Sequence, residues 1–409
     1  MKITNVQFHF LEGEMPDDYR AFASSAASRR VCPADIHIGY RQTTERLQDG
    51  MPVAGADGKR RMTHAYLEVI TDDGIIGRIG PLKNPFVRER ILYSFAPVLI
   101  GMDPMNTEML WDIMYRTVPN GYAGTDMEAL SACDNALWDI KAKAAGVPLN
   151  RLLGGVTQPS LPAYFNCVGY SYLPEDVVNT VEYLKKLGYT SMKWCAPSGP
   201  GEGEAGMQKV VNHIRLLRET AGPDFLIMMD CSCSWDYEFT MEALKRMEKY
   251  DLYWLEEPFM PQQVDSYARL VRHSPTRIAL GEQLYTRWGF KHFIEKKAAH
   301  IYQPDPNWCG GLTEALKIIA LITAEDMPVA LHGAMPPVCA HLSAIYPKTT
   351  ILISEYLDMV TRVNQYFYKD TILPVNGAFQ IPDVPGIGIE LDLSKASREW
   401  IQEKSVLPA

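Results

Sequence analysis

Apolar residues recur along this chain in two rhythms. In residues 3–11 and 64–70 they alternate with polar ones, which predicts strands. Asp72-Asp73-Gly74 reads as a turn, and residues 75–77 restart a strand. Between the first two strands lies a long polar stretch, residues 13–62, which reads as a functional lid or a disordered segment. Helical spacing follows at 87–99 and 107–116. Thr125 and Glu128 have the spacing of a capping box, so a helix is expected from there to Gly146, stopped by Pro148.

From about residue 160 the pattern becomes regular. Short apolar runs at 163–168, 190–194, 225–229, 253–255, 277–280, 301–303, 329–331 and 351–354 alternate with amphipathic segments. Eight strands alternating with helices over this length predict a (β/α)8 barrel, with a doubly wound open sheet as the alternative. The organisation expected is an N-terminal α+β domain over 1–125, a barrel over 126–372, and a segment over 373–409 that packs back on the N-terminal domain. That last segment is rich in turn residues, with Pro374, Gly377, Pro382, Pro385, Gly386 and Gly388.

Composition narrows the function classes. The 409 residues carry 40 Lys and Arg against 49 Asp and Glu, a net charge of −9. Only residues 57–61 are locally basic, so no nucleic-acid partner is expected. No apolar run approaches the ~20 residues that a membrane span needs, and no membrane association is expected. Eight scattered cysteines do not form a disulfide framework, which points to a reducing, cytoplasmic setting. Gly201 to Gly206 matches the G-x-G-x-x-G spacing. Two glutamates inside it would oppose a pyrophosphate, and the tight strand-to-helix turn is missing, so dinucleotide binding is not expected.

A barrel carries its function at the C-terminal ends of its strands. Those ends supply Lys193, Asp230, Glu256, Glu282, Asp305, His332 and Glu355. The carboxylates at 230, 256 and 282 stand at equal intervals of 26, one βα unit each, and are expected at one level. Any one of them could be an ordinary turn or cap residue. Three together repel one another unless a cation lies among them, and an all-oxygen set selects a hard divalent ion, Mg2+. Asp305 ends the strand before His332, close enough to accept one imidazole N–H and leave the other nitrogen as a base.

These residues resemble the enolase superfamily, and within it the mandelate-racemase-like acid-sugar dehydratases. The resemblance rests on Asp134-Asn135-Ala136-Leu137-Trp138-Asp139-Ile140-Lys141, Arg151-Leu152-Leu153-Gly154-Gly155, Trp254-Leu255-Glu256-Glu257-Pro258, Gly281-Glu282-Gln283, Gln303-Pro304-Asp305, His332-Gly333 and Glu355. Trp308 to Thr313, Pro374 to Gly377, Pro385-Gly386 and Glu390-Leu391 are similar to the rhamnonate dehydratase group. The resemblance implies a capping domain over the barrel mouth, Mg2+ on Asp230, Glu256 and Glu282, and Asp305 with His332 as an acid/base pair. Glu257 would neighbour the ligands, and residues 13–62 would be specificity loops. A small sugar acid is the expected partner, bound by Lys193, Gln283, His332 and Glu355, and a homo-oligomer is expected.

Two departures bear on the chemistry. Many relatives have Lys-x-Lys where this chain has Lys193-Trp194-Cys195, and rhamnonate dehydratases often have His where Gln283 stands. The expected reaction is loss of water from a sugar acid, giving a 2-keto-3-deoxy acid through an enediolate. His332 would serve as base and then acid. Lys193 and a protonated Glu355 would stabilise the enediolate oxygens. The alternatives are a racemase or epimerase using Cys195 as a second base, a non-catalytic sugar-acid binder, and a nicotinamide dehydrogenase.

Overall fold

A computed structural model describes residues 1–15, 32–36, 59–158, 160–333 and 335–403. Three strands come first: β1 (Ile3–Glu14), β2 (Arg61–Thr71) and β3 (Ile76–Ile79). Seven short parallel strands follow: β4 (Leu161–Asn166), β5 (Ser191–Cys195), β6 (Leu226–Asp230), β7 (Trp254–Glu256), β8 (Arg277–Leu280), β9 (Ile301–Tyr302) and β10 (Ser354–Leu357). The last two are β11 (Ala378–Phe379) and β12 (Arg398–Glu403).

The first sheet is antiparallel in the order β12-β1-β2-β3. Helix Thr125–Ala144 packs on β2 and β3 and, on its other side, on helix Gly311–Ala324 of the barrel. It therefore joins the two units rather than belonging to one of them. Its start differs from the capping-box expectation. The chain enters through Gly124 at φ 59 with no side-chain cap, and Thr125 is already helical. The stretch expected as one helix over 87–99 is three pieces, Pro85–Arg90, a wider π turn at Ile91–Phe95, and Ala96–Leu99. Pro97 has no N–H to give to the preceding turn, so the regular helix cannot run through it.

The second sheet runs β10-β4-β5-β6-β7-β8-β9 and curls into the barrel, with β11 pairing antiparallel on β4. The predicted strand at 329–331 is not a strand. Val329 nevertheless bridges to Tyr302 on one side and Ile351 on the other, so the chain fills the gap between β9 and β10. Pro328 precedes it and lacks a ladder donor, which keeps pairing to a single residue there.

Side chains alternate across each strand. Tyr164, Met228, Trp254, Ala279, Ile301, Ala330 and Ile353 pack together as a separate apolar layer, one from each strand position except that of β5. This layer plugs the barrel axis and forms a floor for what lies above it. On the outer face, Met192, Ile227, Leu255, Ile278 and Tyr302 join the main core. Within the stretch expected as a lid, residues 16–31 and 37–58 lie outside the described residues. The described turn Pro33–Ile36 packs on the turn Pro200–Glu202 beyond β5, where a Cβ on Gly201 would collide with the Asp35 carbonyl.

Candidate active site

Two residues beyond the floor, strand parity aims the same positions inward. They are Asn166, Asp230, Glu256, Gln303, His332 and Glu355, and Lys193 joins them because it pairs with Asn166 and Met228. All of these are buried. Asp230 and Glu256 are direct register partners, as the even spacing predicts. Glu282 stands differently. Glu256 pairs with Ala279, so Glu282 lies three residues further on, past Gly281. Gly281 has φ 144, and a Cβ there would meet the Gln303 backbone nitrogen at 2.7 Å. That glycine allows the chain to pass close to β9 and carry Glu282 to His332.

The two ring nitrogens of His332 face different acids. Nδ1 is 2.7 Å from Asp305 Oδ2, and Nε2 is 3.2 Å from Glu282 Oε2 and 3.7 Å from Glu355 Oε2. The carboxylate fixes the proton on Nδ1. Burial opposes a charged imidazole, but Glu282, Glu355 and Asp305 together raise its pKa to about 10. The Trp308 ring covers it, with centroids 4.7 Å apart.

Lys193 Nζ lies between Glu256 Oε1 at 2.5 Å and Glu355 Oε1 at 2.8 Å. Burial alone would discharge it. The two carboxylates outweigh that and hold its pKa well above the usual lysine value. Glu355 also accepts from Asn166 Nδ2 at 2.7 Å and from the Gly333 N–H at 2.8 Å. Burial would raise its pKa, yet Lys193, His332 and the Gly333 N–H pull it down to about 2. These neighbours favour the charged form of Glu355, where the sequence led to the expectation of a protonated acid.

The other acids carry more negative charge than their neighbours offset. Burial raises Glu256 to about 7 against the pull of Lys193, and Asp230, Glu355 and Glu282 push it further the same way. Burial, Glu282, Asp230 and Glu256 raise Glu257 well above the carboxylate range. Glu282 is raised by burial and Asp230, with His332 opposing. Gln303 and Trp254 each donate to Glu256 Oε2, at 2.8 and 2.9 Å. Ser232 N–H donates to Asp230 Oδ1 at 2.7 Å, and Gln283 Nε2 to Glu282 Oε1 at 3.2 Å. As placed, no three His, Cys, Asp or Glu side chains among the described residues are gathered closely enough to grip a metal ion. The donor chemistry does suit one: oxygens only, mutually repelling, on neighbouring strand ends. Ser232, Cys233 and Glu257 have left-handed backbones around these acids, a strain that collects at functional sites.

The strand-end reading thus located Lys193, Asp230, Glu256, Glu282, Asp305, His332 and Glu355 around one mouth. Gln283 is there too, with its amide turned to Glu282. Reading by charge missed Asn166, Gln303 and Trp308. Asn166 and Gln303 are uncharged, and only their parity with Tyr164 and Ile301 marks them as inward-facing. Cys195, two residues past Lys193, has its Sγ 3.8 Å from Asp230 Oδ2. Among the described residues the eight cysteines form no disulfide. Among the described residues no helix is long and apolar enough to cross a membrane.

Comparison with known proteins agrees with this fold. Residues 43–154 match the family described as mandelate racemase / muconate lactonizing enzyme, N-terminal domain, and residues 176–396 match enolase C-terminal domain-like. The chain is 32% identical over 344 residues to the L-rhamnonate dehydratase of Saccharopolyspora erythraea, covering 80% of this chain and 82% of that protein. The rhamnonate dehydratase of Gibberella zeae complexed with Mg superposes with a TM-score of 0.81 at 28% identity, over 96% of this chain and 95% of that one. The 3,6-anhydro-D-galactonate cycloisomerase of Zobellia galactanivorans gives 0.74 at 29% identity, over 84% and 95%. A plugged barrel with ionisable groups at its mouth, an α+β unit bridged to it, and sequence likeness across both parts have one common explanation: the chain belongs to the mandelate racemase / muconate lactonizing enzyme family of the enolase superfamily.

Proposed function

We propose that this chain is a Mg2+-dependent sugar-acid dehydratase, a hydro-lyase that turns a 2,3-dihydroxy acid into a 2-keto-3-deoxy acid. The observation that carries the reading is the buried Asp305–His332 pair at 2.7 Å, with Nε2 turned toward Glu282 and Glu355 at the barrel mouth. Relatives named rhamnonate dehydratase, one of them complexed with Mg, support it. L-Rhamnonate is the first substrate to test.

Asp230, Glu256 and Glu282 would hold the ion. When bound, it supplies positive charge that offsets these acids and stabilises negative charge growing on the substrate carboxylate. His332 takes the proton from C2 through Nε2, while Asp305 keeps Nδ1 protonated and the ring oriented. The resulting imidazolium then protonates the 3-hydroxyl as the C3–O bond breaks, and water leaves from the same face. The enol that remains tautomerises to the 2-keto acid. Lys193, held charged by Glu256 and Glu355, stabilises the enediolate oxygens. Glu355 acts as an anion that positions Lys193 and His332.

Glu282, Glu355 and Asp305 favour the charged imidazole of His332 over the neutral base. It can serve as a base only when the charge of Glu282 is committed elsewhere, which ties the base to the carboxylate cluster. The rival reading is an epimerase with Cys195 as a second base, and it draws on the inward position of that thiol beside Asp230. The test is a sugar-acid library with Mg2+, starting with L-rhamnonate, in which 2-keto acids are trapped by semicarbazide. Keto-acid formation supports the dehydratase. C2 epimers without keto acid favour the rival. Metal-dependent binding with neither product leaves a non-catalytic binder.

A further inference from the structure

Asp305 is wholly buried and has two oxygens to satisfy. Oδ2 takes His332. Oδ1 takes two donors from one residue, the backbone N–H of Asn307 at 2.7 Å and its side-chain Nδ2 at 2.8 Å. That pair of bonds fixes the carboxylate plane, and hence the direction from which it meets the imidazole. Asn307 is itself held. Its Oδ1 accepts from Asn135 Nδ2 at 3.3 Å, which keeps the amide turned with its NH2 toward Asp305.

Asn135 lies on helix Thr125–Ala144, the helix that also packs on β2 and β3. It is fully buried, and its side-chain amide bonds to the loop after β9 and the first turn of the helix that follows. Nδ2 also donates to Pro306 O at 3.0 Å, and Oδ1 accepts from Leu312 N at 2.9 Å. The same helix adds Ser131 Oγ, accepting from Gly310 N at 2.9 Å, and Asp134, accepting from Thr313 N and Oγ1. The loop between Asp305 and helix Gly311–Ala324 is therefore moulded against the bridging helix Thr125–Ala144. The side chains form one line: Asn135, Asn307, Asp305, His332.

We infer that Asn307, backed by Asn135, is a positioning residue for the Asp305–His332 pair, so that the helix bridging the two units sets the orientation of the barrel's base. The inference rests on the reading of His332 as that base, and it names how the base is aimed. Neither amide would touch substrate. Their effect belongs in turnover rather than binding, with a size typical of groups that orient an active one, about 10- to 100-fold.

The test uses the full chain with Mg2+ and a turned-over sugar acid, and it adds a readout that needs no substrate. In 15N-histidine-labelled protein the His332 Nδ1–H should resonate far downfield and resist solvent exchange, assigned by its loss in His332→Asn. Asn307→Ala should broaden or lose that resonance and lower kcat about 10- to 100-fold with KM changed less than about threefold. Asn135→Ala should do the same more weakly. The double variant should cost little more than Asn307→Ala alone, because both act along one line. If Asn307→Ala does not fold, Asn307→Ser removes the same amide with less change in packing and carries the same measurements. A variant that keeps the resonance and kcat within twofold overturns the inference, as does an effect confined to KM or strict additivity of the two variants. If no sugar acid is turned over, the dehydratase reading fails on its own, and the resonance still decides whether Asn307 aims His332.

Discussion

An imidazole with a carboxylate at each nitrogen has little freedom to turn and gives up its charge reluctantly. His332 is in that position, with Asp305 on one side and Glu282 and Glu355 on the other. His332→Asn keeps the shape and removes the proton carrier. We expect it to lose both C2–H exchange in D2O and dehydration, by roughly a thousandfold. Exchange that survives in this variant would place the base elsewhere, with Cys195 first in line. Glu355 gives the second expectation at this scale. Glu355→Gln keeps the volume and can still take the Gly333 N–H, but it strips Lys193 of one of its two counter-charges. If Glu355 works as an anion, kcat falls about 10- to 100-fold. Near-normal kcat would favour a neutral Glu355 that stabilises the enediolate oxygens by donating a hydrogen bond. The charged residues of the mouth were legible because strand ends in a barrel are where chemistry collects. The surroundings that favour a charged Glu355 were not, since they are Lys193, His332 and the Gly333 N–H, which only the closed barrel brings together. Asn307 stayed hidden too, because an Asn after Pro306 reads as an ordinary turn residue.

Between neighbouring strands of the first sheet sits an ion network that no single segment announces. Glu68 on β2 meets Arg78 on β3 at 2.9 Å and His9 on β1 at 3.3 Å, and His9 reaches Glu399 on β12 at 2.7 Å. Burial works to raise Glu68, but His9, Arg78 and Gln7 lower it to about 2. The Glu68 bond raises His9 above its usual 6.5, against its burial. A lowered carboxylate gives stability that is complete above 4.5 and is lost as pH falls toward 2. A raised histidine gives stability that is complete below 6.5 and is lost as pH climbs through its folded value. The network therefore contributes most between pH 4.5 and 6.5. Glu68→Gln should lower stability by about 3 kcal/mol at neutral pH and flatten the acid limb of a melting-versus-pH curve. An unchanged acid limb would show that the network does not carry it. Element identity was largely legible here, since alternation marked β1 and β2. The breaks were less so. Pro97 splits one expected helix and Val329 pairs as a lone bridge, because each depends on which backbone donors the neighbours require.

Across the whole molecule, excess buried negative charge at the mouth should couple folding to metal. Chelation should abolish dehydration and C2–H exchange together, and Mg2+ should restore both. At about 100 times its dissociation constant, bound Mg2+ adds about 2.7 kcal/mol to the folded state, visible as a higher melting temperature. Glu282→Gln relieves repulsion, so the metal-free protein should melt no lower than the parent, while its response to Mg2+ disappears. A full Mg2+ shift in that variant would remove Glu282 from the ligand set. The barrel was legible from its eight apolar runs. The bridging of both units by helix Thr125–Ala144 was not, because one amphipathic segment does not say which two surfaces it will join.

The pairing of β12 with β1 has a consequence for how the protein is made. Asn5 bonds to Glu403, 398 positions away, and Phe10 stacks on Trp400 at 4.9 Å. On the ribosome β1 emerges first, and its outer edge waits through synthesis of the entire barrel before β12 arrives. Until then a strand holding Phe8 and Phe10 offers open backbone donors and acceptors to any passing nascent chain. Gln7, His9 and Glu12 interrupt its apolar run, and this polar alternation guards the growing polypeptide against sticking to its neighbours.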